Sequence, residues 1–289
     1  IAPLFKRSQV LVCTIGTTNS ASRVAVIMDF QWSSAPLSEI RAPAVACAVY
    51  LVLALGGMQL IVRCFTGTCH SRSVMVVHNA ILSIGSLAMF VGASLAIIER
   101  GRTSGEWEWL LCEDAASAAD AREQYSTLYF WSYVYYLSKF YELLDTMLQI
   151  CKGNAVRHPW LHIYHHAVVM FMAWSWVEHA QSLQFIGMLF NTAVHVVMYA
   201  YYGLSSYGVK DIWWKRYITK FQITQFACSF GFLVLTLCLV APAEYDPFGR
   251  EARRCLGMRT LAANSIFNAT LLVQFVDLLS PKKATGKKA

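Results

Sequence analysis

Three histidines, His162, His165 and His166, fall at positions i, i+3 and i+4 of HPWLHIYHHAVVMFMAW (residues 158–174), a segment otherwise apolar enough for lipid. On a helix that spacing puts all three rings on one face. Imidazoles are costly to bury in hydrocarbon, and ionisable residues within apolar spans usually mark a function. Three on one face are poorly explained by packing. Two chemistries use such a face. Histidines at this spacing can ligate iron or zinc. A neutral imidazole is also a nucleophile toward a thioester, and its acyl adduct is activated for a second attack.

Further polar residues recur at helical spacing in other apolar runs. SKFYELLDTM carries Lys139, Glu142, Asp145 and Thr146. NTAVHVVMYAYY carries Asn191, His195, Met198, Tyr199 and Tyr202 at i, i+4, i+7, i+8 and i+11. TKFQITQ carries Gln222 and Gln225, and His78 and Asn79 stand near the start of an earlier run. Plainer roles exist for several of these. Lys139 and Glu142 can form a structural ion pair, and Gln222 and Gln225 can bridge helices by hydrogen bonds. Tyr199 and Tyr202 suit packing, as do the Met and Phe side chains of the same runs.

The elements that must position these groups are membrane helices. The 289-residue chain is 56% hydrophobic and only 14% charged, against about 25% charged in soluble domains. A span needs roughly 20 mostly apolar residues. Seven such runs are read, near 42–62, 74–98, 125–151, 160–178, 182–203, 215–240 and 260–280. They are too long and continuous for barrel strands, so helices are expected. Residues 1–40 are set apart as an N-terminal extension and candidate for disorder, 41–281 as one helical domain, and 282–289 as a basic tail. Nine cysteines without a CxxC pair give no zinc signature.

Basic residues in short loops set orientation. Arg63, Arg72, Lys152, Arg157, Lys210, Lys215, Arg216 and the terminal lysines fall on one side, while the loop around Glu106–Glu123 is acidic. The N-terminus is therefore expected in a lumen or outside and the C-terminus in the cytosol, although residues 249–259 are basic on the lumenal side. Cys112 and Cys255 then share an oxidising compartment, and a disulfide between them is expected. At 1.5 Å per residue, Asp145 and His195 lie roughly 9 to 12 Å from the cytosolic ends of their helices, and His165 and Gln222 roughly 8 to 11 Å. The polar sets thus share one layer.

Counting ligands weakens a metal site. Of eight histidines, His70, His158 and His179 sit near span ends or in loops. Membrane di-iron oxidases and desaturases draw on several histidine boxes; this chain has one box plus His195 and His78, with Glu142 and Asp145 as carboxylates that could add ligands, so a metal is under-supplied. A seven-helix receptor fits the orientation but gives the histidines and the Lys–Glu–Asp helix no role. Covalent acyl chemistry gives them roles.

At these residues the chain resembles the ELO family of very-long-chain fatty acid elongases, the 3-ketoacyl-CoA synthases of the endoplasmic reticulum. KFYELLDT (139–146) fits KxxExxDT, HIYHH (162–166) fits HxxHH, NTAVHVVMYAYY (191–202) fits NxxxHxxMYxYY, and TKFQ (219–222) fits TxxQ. The motifs stand in family order between His78 and Gln225, and residues 1–40 carry none of the resemblance. HVVMYAYYGLSS and WWKRYIT look more like polyunsaturated-type elongases.

The resemblance implies an all-α membrane protein with seven transmembrane helices around a buried acyl-chain tunnel. It implies condensation of acyl-CoA with malonyl-CoA to a 3-ketoacyl-CoA two carbons longer, with loss of CO2 and CoA and no tightly bound cofactor. His165 is the candidate acyl acceptor and His195 its assistant, with His162 and His166 orienting the site. Lys139, Glu142 and Asp145 would hold the histidines or the malonyl end. Asn191 and Gln222 would donate to the thioester oxygen. Gln225, Tyr199 and Tyr202 are assigned to substrate binding, and Lys152, Arg157, Lys210, Lys215 and Arg216 to the polyanionic CoA. Membrane lipid, a second copy of the chain and the reductases and dehydratase of the elongation cycle are the implied partners. Nucleic acid is not among them. The implied location is the endoplasmic reticulum, and the terminal KKA is similar to a dilysine retrieval signal without its usual final spacing.

Overall fold

The computed structural model describes residues 13–16, 25–28, 30–57, 60, 72–114, 122, 124–151, 159–240 and 255–279. A short antiparallel pair, β1 (Cys13–Gly16) and β2 (Ala25–Met28), precedes the helices, with Cys13 opposite Met28. The helices are α1 (Arg41–Val52), α2 (Arg72–Ser104), α3 (Ser126–Glu142), α4 (Leu144–Cys151), α5 (Pro159–Glu178), α6 (Gln184–Tyr207), α7 (Lys215–Val240) and α8 (Met258–Leu279). A π-helical turn, Leu53–Gly57, extends α1.

These helices fall on the seven apolar runs, with α3 and α4 sharing one run. Among the described residues, four are long and apolar enough to cross a membrane: α2, α6, α7 and α8. Arg41–Gly57 is apolar but shorter. Two of the runs that fall short carry candidate site residues. α5 carries the three histidines, and the run expected as one helix over 125–151 is divided at Leu143. There the Leu143 amide bonds Phe140 at 3.3 Å, an i→i−3 contact that tightens the turn.

Side-chain distribution follows the solvent. α2 exposes Val74, Val77, Ile81, Ile84 and Leu95 while burying His78, Asn79 and Ser86, the reverse of a helix facing water. The main core is aromatic. Met89, Ala93 and Ile97 of α2 meet Leu128, Tyr129 and Tyr136 of α3, and Trp176, Phe185 and Met188 of α5 and α6. Tyr135 stacks on Trp176 with ring centroids 5.3 Å apart. Gly92 lets α2 approach α3, because a Cβ there would collide with the Trp131 ring. Within the segment set apart as an extension, residues 30–40 are tied to the bundle. Trp32 donates to Glu178 at 2.7 Å, Tyr136 to the Leu37 carbonyl at 2.9 Å, and Trp174 to the Ser38 carbonyl at 2.7 Å.

One end of the bundle is stapled shut. Cys112 and Cys255 form the expected disulfide across 143 residues, with Cα atoms 4.9 Å apart. Around it the Leu256 amide bonds the Glu113 carbonyl at 2.8 Å, and Ser182 bonds both the Leu256 carbonyl and the Glu113 amide. Thr236 of α7 donates to the Leu111 carbonyl at 2.9 Å. Gly257, at φ +63°, presses so closely on this cap that a Cβ would stand 2.7 Å from the Gln181 Cα. Beneath it the buried Arg100 makes two bonds to Glu113, at 2.8 and 2.6 Å, and lies over the Trp109 and Tyr125 rings. Removing one partner of a buried pair leaves an uncompensated charge. Glu113→Gln is expected to lower stability by about 3–5 kcal/mol, read as earlier thermal unfolding in detergent. Non-reducing peptide mapping should recover the Cys112 and Cys255 peptides joined.

Candidate active site

The site is built around a lysine that α3 buries. Lys139 is 1% exposed, as is Glu142 one turn on. A charge so placed needs a partner. Lys139 Nζ donates to Glu142 Oε1 at 2.7 Å and to Asn191 Oδ1 at 3.2 Å, and lies 4.1 Å from the centre of the Tyr135 ring. Ser138 also donates to Glu142 Oε1, at 3.3 Å, and His195 Nδ1 approaches it at 3.5 Å. Glu142 Oε2 is buried without a partner among the described residues.

Asn191 is fixed by this pair. Its Oδ1 accepts from Lys139 and from Tyr135, the latter at 3.0 Å. Lysine only donates, so the oxygen assignment follows from chemistry, and the NH2 group is left for another acceptor.

A second cluster surrounds Asp145 on α4. His78 Nε2 donates to Oδ1 at 2.6 Å, and Tyr199 donates to Oδ2 at 2.6 Å. Asp145 thus joins α2 to α6. Next to it Thr146 bonds Tyr50 of α1 at 2.8 Å. The turn at Leu143 lies between Glu142 and Asp145, and the two carboxylates serve separate clusters.

The histidine box packs on itself along α5. The rings of His162 and His166 are 4.6 Å apart, and those of His165 and His166 5.3 Å apart. His162 Nε2 lies 3.3 Å from the Gln149 amide. His166 is buried edge-on to Tyr50. His165 stacks on Phe267 of α8, with centroids 6.0 Å apart. The imidazoles do not converge on one point: among the described residues no group of three or more His, Cys, Asp or Glu side chains is placed to hold a metal ion.

Of the three, His165 alone lines a cavity. The cavity is bounded by α3, α5, α6, α7 and α8, is open to one side and has a volume of about 60 Å3. Asn191, Tyr135, Gln225 and Phe267 stand with His165, while Trp176, Leu183 and Leu261 line it toward the stapled end. From His165 to Trp176 the wall follows α5 for about 16 Å. No described side chain hydrogen-bonds the His165 ring, and its Nδ1 is buried.

The other residues singled out in sequence fall as follows. Gln222 donates weakly to Met198 Sδ at 3.5 Å and does not line the cavity; Gln225 does. Tyr202 is 43% exposed. Lys210, Lys215 and Arg216 are exposed around the start of α7, with Lys215 and Arg216 over the Tyr201 and Tyr217 rings. Lys152 and Arg157 lie outside the described residues, as do the terminal lysines. Sequence reasoning missed Tyr135 and Tyr50, whose hydroxyls look like aromatic packing until a partner is seen. It also missed α8, although Asn264, Ser265 and Asn268 in an apolar helix carried a signal of the kind used elsewhere.

A helical membrane bundle with a buried histidine–lysine–carboxylate site defines the class. The chain matches the GNS1/SUR4 (ELO) family over residues 35–284 and belongs to that family. It is 36% identical to a protein of Dictyostelium discoideum named as a fatty acid elongase, over 70% of this chain and 65% of that one. It is 33% identical to very long chain fatty acid elongase 5 of Xenopus laevis, over 70% of this chain and 65% of that one. With fatty acid elongase A of Dictyostelium discoideum the identity is 29%, over 93% and 94%. The first of these matches thus spans just under two thirds of its relative's length.

Lys139→Met would leave Glu142 buried without its cation. It is expected to cost about 3–5 kcal/mol, while adding Glu142→Leu recovers part of that stability and none of the activity. Thermal unfolding of both variants and the wild type in one detergent checks the coupling.

Proposed function

We propose that the protein is the condensing enzyme of fatty acid elongation, joining a long-chain acyl-CoA to malonyl-CoA through an acyl group carried on His165. The observation that carries this reading is the position of His165. It is the member of its box on the cavity wall, its ring has no described hydrogen-bond partner, and a donor carboxamide from Asn191 stands on the same cavity.

The chemistry runs in two halves. A ring nitrogen of His165 attacks the thioester carbon, and Asn191 NH2 stabilises the developing oxyanion. The C–S bond breaks and the CoA thiolate takes the proton that the acylated His165 ring gives up, leaving a neutral N-acylimidazole. Malonyl-CoA then loses CO2, and the electron pair of the broken C–C bond forms a thioester enolate. The enolate carbon attacks the acyl carbon, the C–N bond breaks, and the departing imidazolate takes a proton drawn from water, returning His165 to its neutral N–H form with the 3-ketoacyl-CoA released. The Lys139 cation supports Asn191, and Glu142 orients His195 as a proton shuttle. The Asp145 cluster holds α2, α4 and α6 in register.

The acyl tail would follow the cavity from His165 toward Trp176 and the cap. CoA would remain at the opposite end, near Lys210, Lys215 and Arg216. On this reading the stapled end would lie in the lumen of the endoplasmic reticulum and the C-terminus in the cytosol, with seven helices across the membrane, including the short α1 and the divided α3–α4. The resemblance of HVVMYAYYGLSS and WWKRYIT to polyunsaturated-type elongases supports a preference for polyunsaturated chains. The donor geometry favours acyl transfer over di-iron chemistry, because His78, His162 and His195 each face a different partner on the protein.

Expression in an elongase-deficient host with a panel of acyl chains, read by fatty-acid profiling, should give products two carbons longer. His165→Ala is expected to reduce elongation at least about a hundredfold. Full activity in that variant would contradict the assignment, and stoichiometric iron with no dependence on malonyl-CoA would overturn the reading.

A further inference from the structure

The cavity beyond His165 has two unlike walls. α3, α5 and α6 supply Asn191 beside His165 and, beyond it, Tyr135, Val169, Met172, Trp176 and Ile186. α7 and α8 interleave their apolar side chains with Gln225, Ser229, Asn264, Ser265 and Asn268. The two hydroxyls are already committed to their own helices, Ser229 to the Gln225 carbonyl at 3.0 Å and Ser265 to the Leu261 carbonyl at 2.8 Å. The carboxamides of Gln225, Asn264 and Asn268 have no hydrogen-bond partner among the described residues. Each offers two N–H donors to the cavity or its margin.

A tunnel for a saturated chain has no use for such donors. An amide desolvated against hydrocarbon with nothing to bond costs on the order of 1–3 kcal/mol. A lone intramembrane amide normally bridges to another helix, and these three do not. Their positions are ordered as well. Asn268 follows Phe267, whose ring stacks on His165, so it stands beside the reacting end. Asn264 lies one helical turn deeper, about 6 Å along α8. Gln225 borders the same apolar cluster from α7, next to Phe226.

We propose that Asn264 and Asn268, with Gln225 opposite, determine acyl-chain specificity by donating N–H groups to the π faces of cis double bonds. The inference rests on reading the cavity as the acyl tunnel. A saturated chain displaces water from the carboxamides and returns nothing. An unsaturated chain supplies weak acceptors along its length, and N–H to π contacts, though individually small, recur where geometry permits them. Discrimination arises because a site built with donors penalises the chain that leaves them unpaired.

The test compares two acyl-CoAs of equal carbon number, one saturated and one with several cis double bonds, competing in membranes that contain the protein. The readout is the ratio of the two elongated products. Asn264→Leu is expected to shift that ratio toward the saturated product about threefold, and Asn264→Leu with Asn268→Leu more than threefold. Should the double variant yield no product, Asn264→Ser, which keeps a small polar group but removes both N–H donors, is read by the same ratio and is expected to move the same way. Unchanged ratios in the variants that elongate would overturn the specificity assignment while leaving the condensing reaction intact. No elongation of either chain by the wild type would instead overturn the reading of the tunnel.

Discussion

A lysine and a glutamate buried to 1% exposure in the same helix must satisfy each other, and the centre of this bundle is arranged around that requirement. An uncompensated charge there would cost several kcal/mol, so Lys139 and Glu142 draw in what lies nearby. Asn191 accepts from the lysine, Ser138 and His195 approach the carboxylate, and Tyr135 both covers the lysine with its ring and bonds Asn191. The pair thereby fixes the Asn191 carboxamide, which lines the same cavity as His165. In the proposed reaction, the bonds that satisfy the buried charges also preorganise a donor for the oxyanion.

The rest of the bundle protects this arrangement from both ends. The Cys112–Cys255 disulfide, the Ser182 hydrogen bonds and the Arg100–Glu113 pair close one end. The other end carries exposed cations around the start of α7. Between them, Asp145 ties α2 to α6 through His78 and Tyr199. A thioester substrate with a polyanionic carrier and an apolar tail has the same polarity as this axis. That correspondence, more than any single residue, connects the fold to the proposed reaction.

Much of this was legible in the sequence, for reasons that are physical. Long apolar runs in a chain with few charges can only be membrane helices, and polar residues inside them stand out because they are costly. Helical spacing then grouped His162 with His165 and His166, and Lys139 with Glu142. Two cysteines assigned to one compartment were legible as a pair. What periodicity could not supply was partnership. His78 pairs with Asp145 across 67 residues, and nothing local marks it. The turn at Leu143 has no glycine or proline to announce it. Gln222 looked equivalent to Gln225, yet the one reaches Met198 and the other the cavity. Asn264 and Asn268 were visible as polar residues in an apolar helix, but they fell outside the recognised motifs.

The central claim is that His165 carries the acyl group. It is tested most directly by incubating purified protein with acyl-CoA alone, without malonyl-CoA, followed by intact mass and peptide mapping. The account predicts release of up to one CoA per protein and an acyl adduct on the peptide containing His165, discharged when malonyl-CoA is added. Condensation that proceeds with no CoA release before malonyl-CoA and no adduct at any histidine would contradict it.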